Sequence, residues 1–289
     1  MSIKIITDST CDLPHELFKK FDIDIVTMYI ILDEKNYKER IEINQQQVID
    51  WSNKYNKSPK TGAPTVDDFL NVFEKYADTH SEIIFIGTSG ETTVTCQAGR
   101  IAADMLPNQK ITIIDGRSLT CGTALLVYEA GKMAQNNKSA DEIIKKVNEM
   151  IPKVFITFLP EKLDFLRRGG RCSALQYFAA TSLSIKMEII AKDGFLVPGK
   201  KYRGSFEKVI QKYFEDRLKN LNEIESDIIF IGYTIDNANL LPLLIDIVKS
   251  KNYFKEVIII QASCIVTAHS GPNTYSLAYM KKDSDPNNL

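Results

Sequence analysis

The chain has 289 residues, of which 44% are hydrophobic and 25% are charged, and its net charge is −1. This length exceeds the usual size of one hydrophobic core, so two domains are expected. The small net charge, with no concentrated basic stripe, gives no electrostatic support for nucleic-acid binding. No apolar run approaches the roughly 20 residues of a membrane-spanning helix, so no integral membrane segment is expected.

The five cysteines are odd in number and dispersed, and none lies in a CxxC pair: Cys11, Cys96, Cys121, Cys172 and Cys264. This pattern predicts reduced thiols and argues against a disulfide framework or a zinc site. The segment Ser2–Asp8 meets charge within a few residues, unlike a signal peptide. We therefore expect a cytoplasmic protein that holds no metal.

The first half alternates short β-rich runs with helical stretches. Strands are predicted at 3–7, 23–32, 83–88 and 111–115, and helices near 14, over 44–55 and 94–105, and from about 121. Thr65 and Ser139 are each followed three residues later by a carboxylate, which is the capping-box pattern of a helix start. Such alternation predicts a parallel sheet covered on both faces, with its ligand site beyond the carboxyl ends of the strands.

The second half mixes direct hairpins with crossovers. Strands are predicted at 154–158, 228–234, 257–262 and 275–280, and as a pair flanking Asp193-Gly194; helices are predicted over about five turns after Ser205 and between 238 and 250. This order predicts a mixed sheet with helices on one face. The fold class is thus α/β, with a three-layer parallel-sheet domain over 1–151 and a two-layer mixed-sheet domain over 152–289. The tail from 281 to 289 is predicted to be disordered.

Clusters of hydroxyl side chains follow several predicted strands. They are Asp8-Ser9-Thr10, Thr61-Gly62-Ala63-Pro64, the run from Thr88 to Thr93, and Asp115-Gly116-Arg117-Ser118. Loops of this kind that lead into helix N-termini suit an anion, although each hydroxyl could instead only cap its helix. Because the sequence has neither a Walker P-loop nor a complete GxGxxG, no motif supports nucleotide binding.

Few residues could support catalysis. Of the three histidines, His15 and His80 lie at predicted surface helix ends, and only His269, predicted in a loop after a strand, is a candidate. No GxSxG elbow occurs, and three histidines with scattered carboxylates form no metal-ligand pattern. The string Arg167–Arg171, with its central Gly169-Gly170, and the string Lys200–Arg203 are either solvated or contact an anion.

Read in order, these strings resemble the DegV family of bacterial fatty-acid-binding proteins over essentially the whole chain. The strings are Ile5–Thr10, Thr61–Pro64, the serine and threonine segment up to Gln97-Ala98, Ile114–Ser118, Phe165–Arg171, Lys186–Arg203 and His269–Pro272. The resemblance implies a fatty acid whose tail lies inside the protein and whose carboxylate is held between the domains. It also implies a separate ATP-dependent fatty acid kinase, to which this carrier, itself without catalytic residues, presents the carboxylate.

By the same resemblance, the carboxylate would meet Thr61, Thr93, the backbone N–H of Val94, and His269. Val94 stands where the family has a glycine, and Asn273 stands where a further glycine is common, so both departures concern the head-group end. The resemblance makes Arg171 and Arg203 candidates for contacting the kinase or the new phosphate.

Two other functions remain open at this point. One is a phosphotransfer or acyl-transfer enzyme that uses the same cleft with His269 as base. The other is a degenerate, regulatory member that binds no lipid. A lipid tunnel needs no oligomer, so we expect a monomer.

Overall fold

The computed structural model describes residues 2–172 and 185–283. The strands of these residues are β1 Ile3–Asp8, β2 Ile23–Val26, β3 Tyr29–Leu32, β4 Lys35–Lys38, β5 Lys60–Gly62, β6 Glu82–Gly87, β7 Lys110–Asp115, β8 Val154–Pro160, β9 Ile185–Lys192, β10 Phe195–Arg203, β11 Ile224–Tyr233, β12 Glu256–Gln261 and β13 Thr274–Lys281. The helices are α1 His15–Lys20, α2 Gln45–Tyr55, α3 Val66–Ala77, α4 Thr95–Asp104, α5 Cys121–Gln135, α6 Ala140–Met150, α7 Asp164–Gly169, α8 Phe206–Arg217, α9 Leu241–Lys249 and α10 Cys264–Ser270.

The first sheet is parallel and has the order β2-β1-β6-β7. Its strands are rich in isoleucine because both faces are buried. Ile5 and Ile84 pack into the cluster formed with α5 and α6. On the other face, Phe85 packs with Phe69 and Phe73 of α3. The predicted three-layer arrangement is therefore confirmed.

The second sheet is mixed and has the order β10-β9-β8-β13-β11-β12, in which only β11 and β12 are parallel. Helices α8 and α9 cover one face, where Tyr213 and Leu244 pack against Ile231. Helix α5 of the first half covers the other face, because Ile156 and Phe230 belong to its cluster. One helix thus packs against both sheets.

The segment 23–32, predicted as one strand, is two strands in two sheets. β2 pairs with β1, whereas β3 pairs with β4 and β5 in a small antiparallel sheet. The break falls at Met28, whose backbone N–H donates to Ser9 Oγ at 3.0 Å and whose carbonyl accepts from the Glu39 N–H. These bonds turn the chain out of the parallel ladder, a tertiary effect that the apolar run does not reveal.

The helix predicted over about five turns after Ser205 is also shorter than expected. α8 has 12 residues, about three turns, and a separate 3-10 turn at Leu221–Glu223 follows it. The hairpin at Asp193-Gly194 is present, and both residues have positive φ, at 52° and 86°. Lys281 ends β13, and residues 284–289 of the predicted disordered tail lie outside the described residues.

The capping boxes predicted at Thr65 and Ser139 are both formed. Ser139→Ala removes the hydroxyl that accepts from the Glu142 N–H, so we expect the free energy of unfolding to fall by about 1 kcal/mol. Urea unfolding measures this change. Ser205→Ala is the matched control, because the Ser205 side chain precedes α8 without a capping hydrogen bond. Equal losses in the two variants would contradict the assignment.

Candidate functional site

A cavity of about 910 Å³, its mouth included, lies between the carboxyl end of the parallel sheet and the mixed sheet. Threonine and serine side chains supply much of its wall, together with apolar residues. The apolar lining residues are Met28, Ala63, Leu119, Phe158, Leu166, Leu196, Ala262, Ile265 and Val266. Cavities of this character bind small organic ligands and orient them with a few polar groups.

Three polar side chains meet at one part of the cavity. Thr61, on β5, forms a 3.0 Å hydrogen bond between its Oγ1 and His269 Nε2 on α10. Arg171, just after α7, donates from Nη2 to the same Thr61 oxygen at 3.4 Å and from Nη1 to the Gly169 carbonyl at 2.8 Å. Residues far apart in sequence thus form one hydrogen-bonded cluster.

The imidazole of His269 packs against the backbone of α7. A Cβ atom on Gly169 would lie 2.4 Å from His269 Nδ1, so only glycine permits this approach. Nδ1 is buried and has no partner among the described residues. Burial, and after it the charge of Arg171, lower the pKa of His269 from 6.5 to about 3. The ring is therefore neutral at physiological pH.

Arg171 is the one lining residue that carries a charge, among those that the structure describes. Burial lowers the pKa of its guanidinium, and no described carboxylate acts on it. Its hydrogen bonds go to a carbonyl and a hydroxyl, neither of which is charged. A cation without a counterion beside a largely apolar cavity favours an anionic ligand group.

Most of the threonine hydroxyls in the wall are already bonded inside the protein. The bonds run from Thr10 to Asp8, from Thr120 to Asp12, from Thr234 to the Gly271 carbonyl and from Thr274 to the Ser270 carbonyl. A hydroxyl has one hydrogen to donate, so these groups have none left for a ligand. They are satisfied without the ligand, and the wall remains suitable for a hydrocarbon chain.

The start of α10 is tied to the first half of the chain by two buried carboxylates. Asp12 Oδ1 accepts from the Ser263 N–H at 3.0 Å, and Glu39 Oε2 accepts from the Ile265 N–H at 3.1 Å. Arg40 lies between them, 2.5 Å from Asp12 and 3.2 Å from Glu39. Burial, and after it the charge of Asp12, raise the pKa of Glu39 to about 7, although Arg40 acts in the opposite direction. These contacts fix the helix that carries His269.

The family model described as "Uncharacterised protein, DegV family" matches residues 2–282. The chain belongs to the DegV family. A DegV domain-containing protein of Clostridium acetobutylicum is 31% identical over 283 residues, 97% of this chain and 99% of that protein. A relative from Thermotoga maritima, named "Fatty acid-binding protein", is 27% identical over 95% of this chain and 96% of its own length.

Solved DegV structures share the fold. A Thermus thermophilus DegV family protein, described as fatty acid binding, superposes with a TM-score of 0.86 at 23% identity, over 97% of this chain and all of that one. The Streptococcus pneumoniae Fatty Acid Kinase (Fak) B3 protein, loaded with linoleic acid, has a TM-score of 0.84 at 21% identity, over 98% of this chain and all of that one. The two-domain α/β DegV fold expected from the sequence is thus shown.

Four of the six residues expected at the DegV site line the cavity: Thr61, Thr93, Arg171 and His269. The other two do not. The Val94 side chain is 61% exposed at the start of α4, and Arg203 is exposed at the end of β10. His269 was expected in a loop, but it lies in α10, which Ser263 caps by accepting from the Val266 N–H.

Asn273 was expected at the head-group end, but it is not a lining residue. Its φ is 52°, a left-handed conformation that glycine or asparagine adopts most easily. Its side chain accepts from the Ala238 N–H and donates to Glu161 at 2.7 Å. Asparagine therefore supports the turn before β13 at the position where the resemblance led us to expect glycine.

The sequence did not identify the apolar lining residues. Leu119, Leu166 and Leu196 have the same local pattern as core residues, because a hydrophobic side chain looks alike whether it faces a cavity or a packed neighbour. Sequence position was the signal that could be used, because Thr10, Thr88 and Thr120 all come shortly after strands of the parallel sheet.

Among the described residues, no helix is long and apolar enough to cross a membrane, and no group of acidic, histidine and cysteine side chains could hold a metal ion.

His269 provides a pH test of the site. Because its pKa in the folded protein lies below 6.5, the folded state resists protonation, and the histidine lowers stability as pH falls from about 6.5 towards 3. In the ligand-free protein we expect its imidazole NMR resonances to stay unchanged from about pH 8 to about pH 5. A His269→Gln spectrum assigns the signals. A midpoint near the ordinary histidine value would contradict the buried, neutral ring.

Proposed function

We propose that this DegV protein binds one long-chain fatty acid in the cavity, between a unit formed by residues 1–151 and one formed by 152–289. The observation that carries the proposal is the charge of Arg171, which has no carboxylate partner among the described residues and lies beside Thr61 and His269. The other described lining residues carry no charge, and the lining is largely apolar. A fatty acid has the matching chemistry, a single anionic group on a long apolar chain.

The carboxylate is placed at Thr61, Thr93, Arg171 and His269. Arg171 supplies charge-assisted hydrogen bonds, and the two hydroxyls and the imidazole supply neutral ones. A buried carboxylate must be paired, because leaving it unsatisfied costs several kcal/mol. Val94 contributes at most its backbone N–H, since its side chain points to solvent.

The tail is placed among Leu119, Phe158, Leu166, Leu196 and Ile265. Burial of each methylene contributes about 0.8 kcal/mol, so a long chain supplies roughly 10 kcal/mol before the losses on binding. The tail therefore determines affinity, and the head group determines orientation. The name of the Thermotoga maritima relative supports a fatty acid as the ligand.

The alternatives have less support. An enzyme with His269 as base would need a group that accepts protons near neutral pH, whereas burial lowers the pKa of this histidine to about 3. A regulatory member without ligand binding would be favoured by a cleft filled with side chains, whereas this cleft is open and has a largely apolar lining. We therefore propose a carrier that has no catalytic activity of its own.

We further propose that the carrier presents the carboxylate to a separate ATP-dependent fatty acid kinase in the cytoplasm. The description of the Streptococcus pneumoniae structure as a fatty acid kinase B protein supports this step. Because Arg171 lines the cavity, we assign it a contact with the carboxylate before phosphorylation and with the phosphate group after transfer. Arg203, exposed and outside the cavity, is assigned to the partner alone.

Native purification followed by lipid extraction and mass spectrometry tests the proposal. One fatty acid per chain is expected, either bound at purification or after incubation with a panel of fatty acids. A protein that stays empty under both conditions would overturn the carrier function. Recovery of a stoichiometric nucleotide instead of a lipid would favour the enzyme.

Arg171→Ala should weaken fatty-acid binding about 10- to 100-fold, because hydrogen bonds to a charged group contribute about 1.5–3 kcal/mol. Titration with a fluorescent fatty acid measures the change. Arg203→Ala is the matched control, since it removes an exposed arginine that does not line the cavity. Unchanged affinity in Arg171→Ala would remove this residue from the head-group site.

The same two variants separate binding from presentation. With a DegV-dependent kinase and ATP at saturating fatty acid, Arg203→Ala should bind normally but form acyl phosphate more slowly than the wild type. Normal rates in Arg203→Ala would exclude Arg203 from the kinase contact without affecting the carrier proposal.

A further inference from the structure

Two adjacent glycines end helix α7, and the structure requires them for different reasons. Gly170 caps the helix in the left-handed conformation, with φ at 70°, and a Cβ atom there would meet nothing within 4 Å. Gly169 is the last residue of the helix itself and has no positive φ. In a helical conformation glycine is less favourable than alanine. The backbone therefore requires glycine at 170 but not at 169.

What position 169 requires is space, because the imidazole of His269 lies where a side chain would be. A Cβ atom on Gly169 would lie 2.4 Å from Nδ1 of that ring, 3.4 Å from Cγ and 3.5 Å from Cε1. Since an ordinary contact between such atoms needs about 3.5 Å, a methyl group would force the ring or α7 to move by about 1 Å. The missing side chain thus lets the imidazole pack directly on the helix backbone.

A second contact of the same kind joins α7 and α10, with the roles of the two helices exchanged. Phe165, one turn before Gly169 on α7, packs against Gly271, directly after α10, where a Cβ atom would lie 2.5 Å from the phenyl ring. Gly271 is itself fixed, because its N–H donates to the Thr267 carbonyl and its own carbonyl accepts from Thr234. The two helices therefore interlock at two points, which fixes the position of one along the other.

This interlock fixes the two sides of the head-group cluster relative to each other. His269, in the last turn of α10, contacts Thr61 Oγ1 through Nε2 at 3.0 Å. Arg171 is tied to α7, because its Nη1 donates to the Gly169 carbonyl at 2.8 Å, and its Nη2 reaches the same Thr61 oxygen at 3.4 Å. A shift of about 1 Å between the helices would take one of these contacts out of hydrogen-bonding geometry.

We propose that Gly169 is a positioning residue of the fatty-acid site, whose missing side chain lets His269 and Arg171 contact one carboxylate together. This inference rests on the proposed function and deepens it. Alanine at 169 would suit the helix better but would displace either the imidazole or the guanidinium. The tail depends much less on this contact, because Leu166 is the one apolar lining residue that α7 contributes among those described.

The test is a double-mutant cycle of Gly169→Ala and His269→Ala, titrated with a straight-chain fatty acid and with the alcohol of the same length. Gly169→Ala should weaken fatty-acid binding about 10-fold and alcohol binding much less, because only the acid carries a charge. In the His269→Ala background the same substitution should have no further effect, since the ring that meets the methyl group is gone. Equal losses for acid and alcohol, unchanged affinity in Gly169→Ala, or additive effects in the double variant would overturn the inference.

Gly170→Asn is the matched control. It adds a side chain at the neighbouring position, where a Cβ atom meets nothing, and asparagine tolerates the left-handed conformation. Both affinities should stay at the wild-type values. A loss as large as that of Gly169→Ala would show that any side chain in this turn disturbs the site, and would contradict a specific role of Gly169.

NMR titration of the ligand-free variants distinguishes a failure of this inference from a failure of the proposed function. Movement of the ring or of α7 would uncover the imidazole or separate it from Arg171, so the pKa of His269 should rise from about 3 towards 6.5 in Gly169→Ala. If this pKa rises but the wild type binds no fatty acid, the positioning role is supported and the carrier function is wrong. If the wild type binds fatty acid but Gly169→Ala leaves the pKa unchanged, only the positioning role is overturned.

Thermal unfolding shows whether each variant is folded. If Gly169→Ala alone does not fold, the double variant with His269→Ala should fold, because the clash between the methyl group and the ring is removed. A double variant that also fails to fold would overturn the inference.

Discussion

The structure depends on helix α5, which packs between the two sheets. Ten of its 15 residues are buried, which is the pattern of a helix surrounded by protein. Small residues allow the close approach: a Cβ on Gly122 would lie 2.0 Å from Ser118 Oγ, and one on Gly232 would lie 2.5 Å from Cys121 Sγ. The parallel and mixed sheets are thus held about one helix diameter apart.

The cavity follows from that spacing. Leu119 and Thr120, just before the start of α5, form part of its wall. Thr10 and Thr88 approach from the parallel sheet, and Phe158 and Ser276 from the mixed sheet. Beyond the N-terminal end of α5 the two sheets remain apart, and no side chain from the described residues fills the space. The cavity is therefore a direct consequence of placing one helix between two sheets.

Much of this could be read from the sequence, because local signals determine it. The capping boxes at Thr65 and Ser139 and the turn at Asp193-Gly194 depend on neighbouring residues only. Contacts between distant residues could not be predicted from such signals. The bond between Thr61 and His269 spans 208 positions, and resemblance alone suggested that the two side chains meet.

The incorrect predictions have the same origin. His269 was expected in a loop because the polar string after Ala268 is typical of one. The helix instead depends on Ser263, which caps its first turn, and on Asp12 and Glu39, which accept from the backbone at its start. These carboxylates come from the other half of the chain, so the helical state of this segment is a tertiary property.

Charge explains why the head group would bind at one place only. Asp8, Asp12 and Glu39 are buried near the cavity, and each accepts hydrogen bonds from protein groups. Carboxyl oxygens that already accept hydrogen bonds offer an anion no donor at the sheet end. Arg171, by contrast, approaches Thr61 and His269 with no described carboxylate acting on it. Arrival of a carboxylate would neutralise this cation and favour a proton on His269, whose low pKa results from burial and from the same cation. An anionic ligand would therefore gain a charge-assisted partner in Arg171 that a neutral lipid would not use.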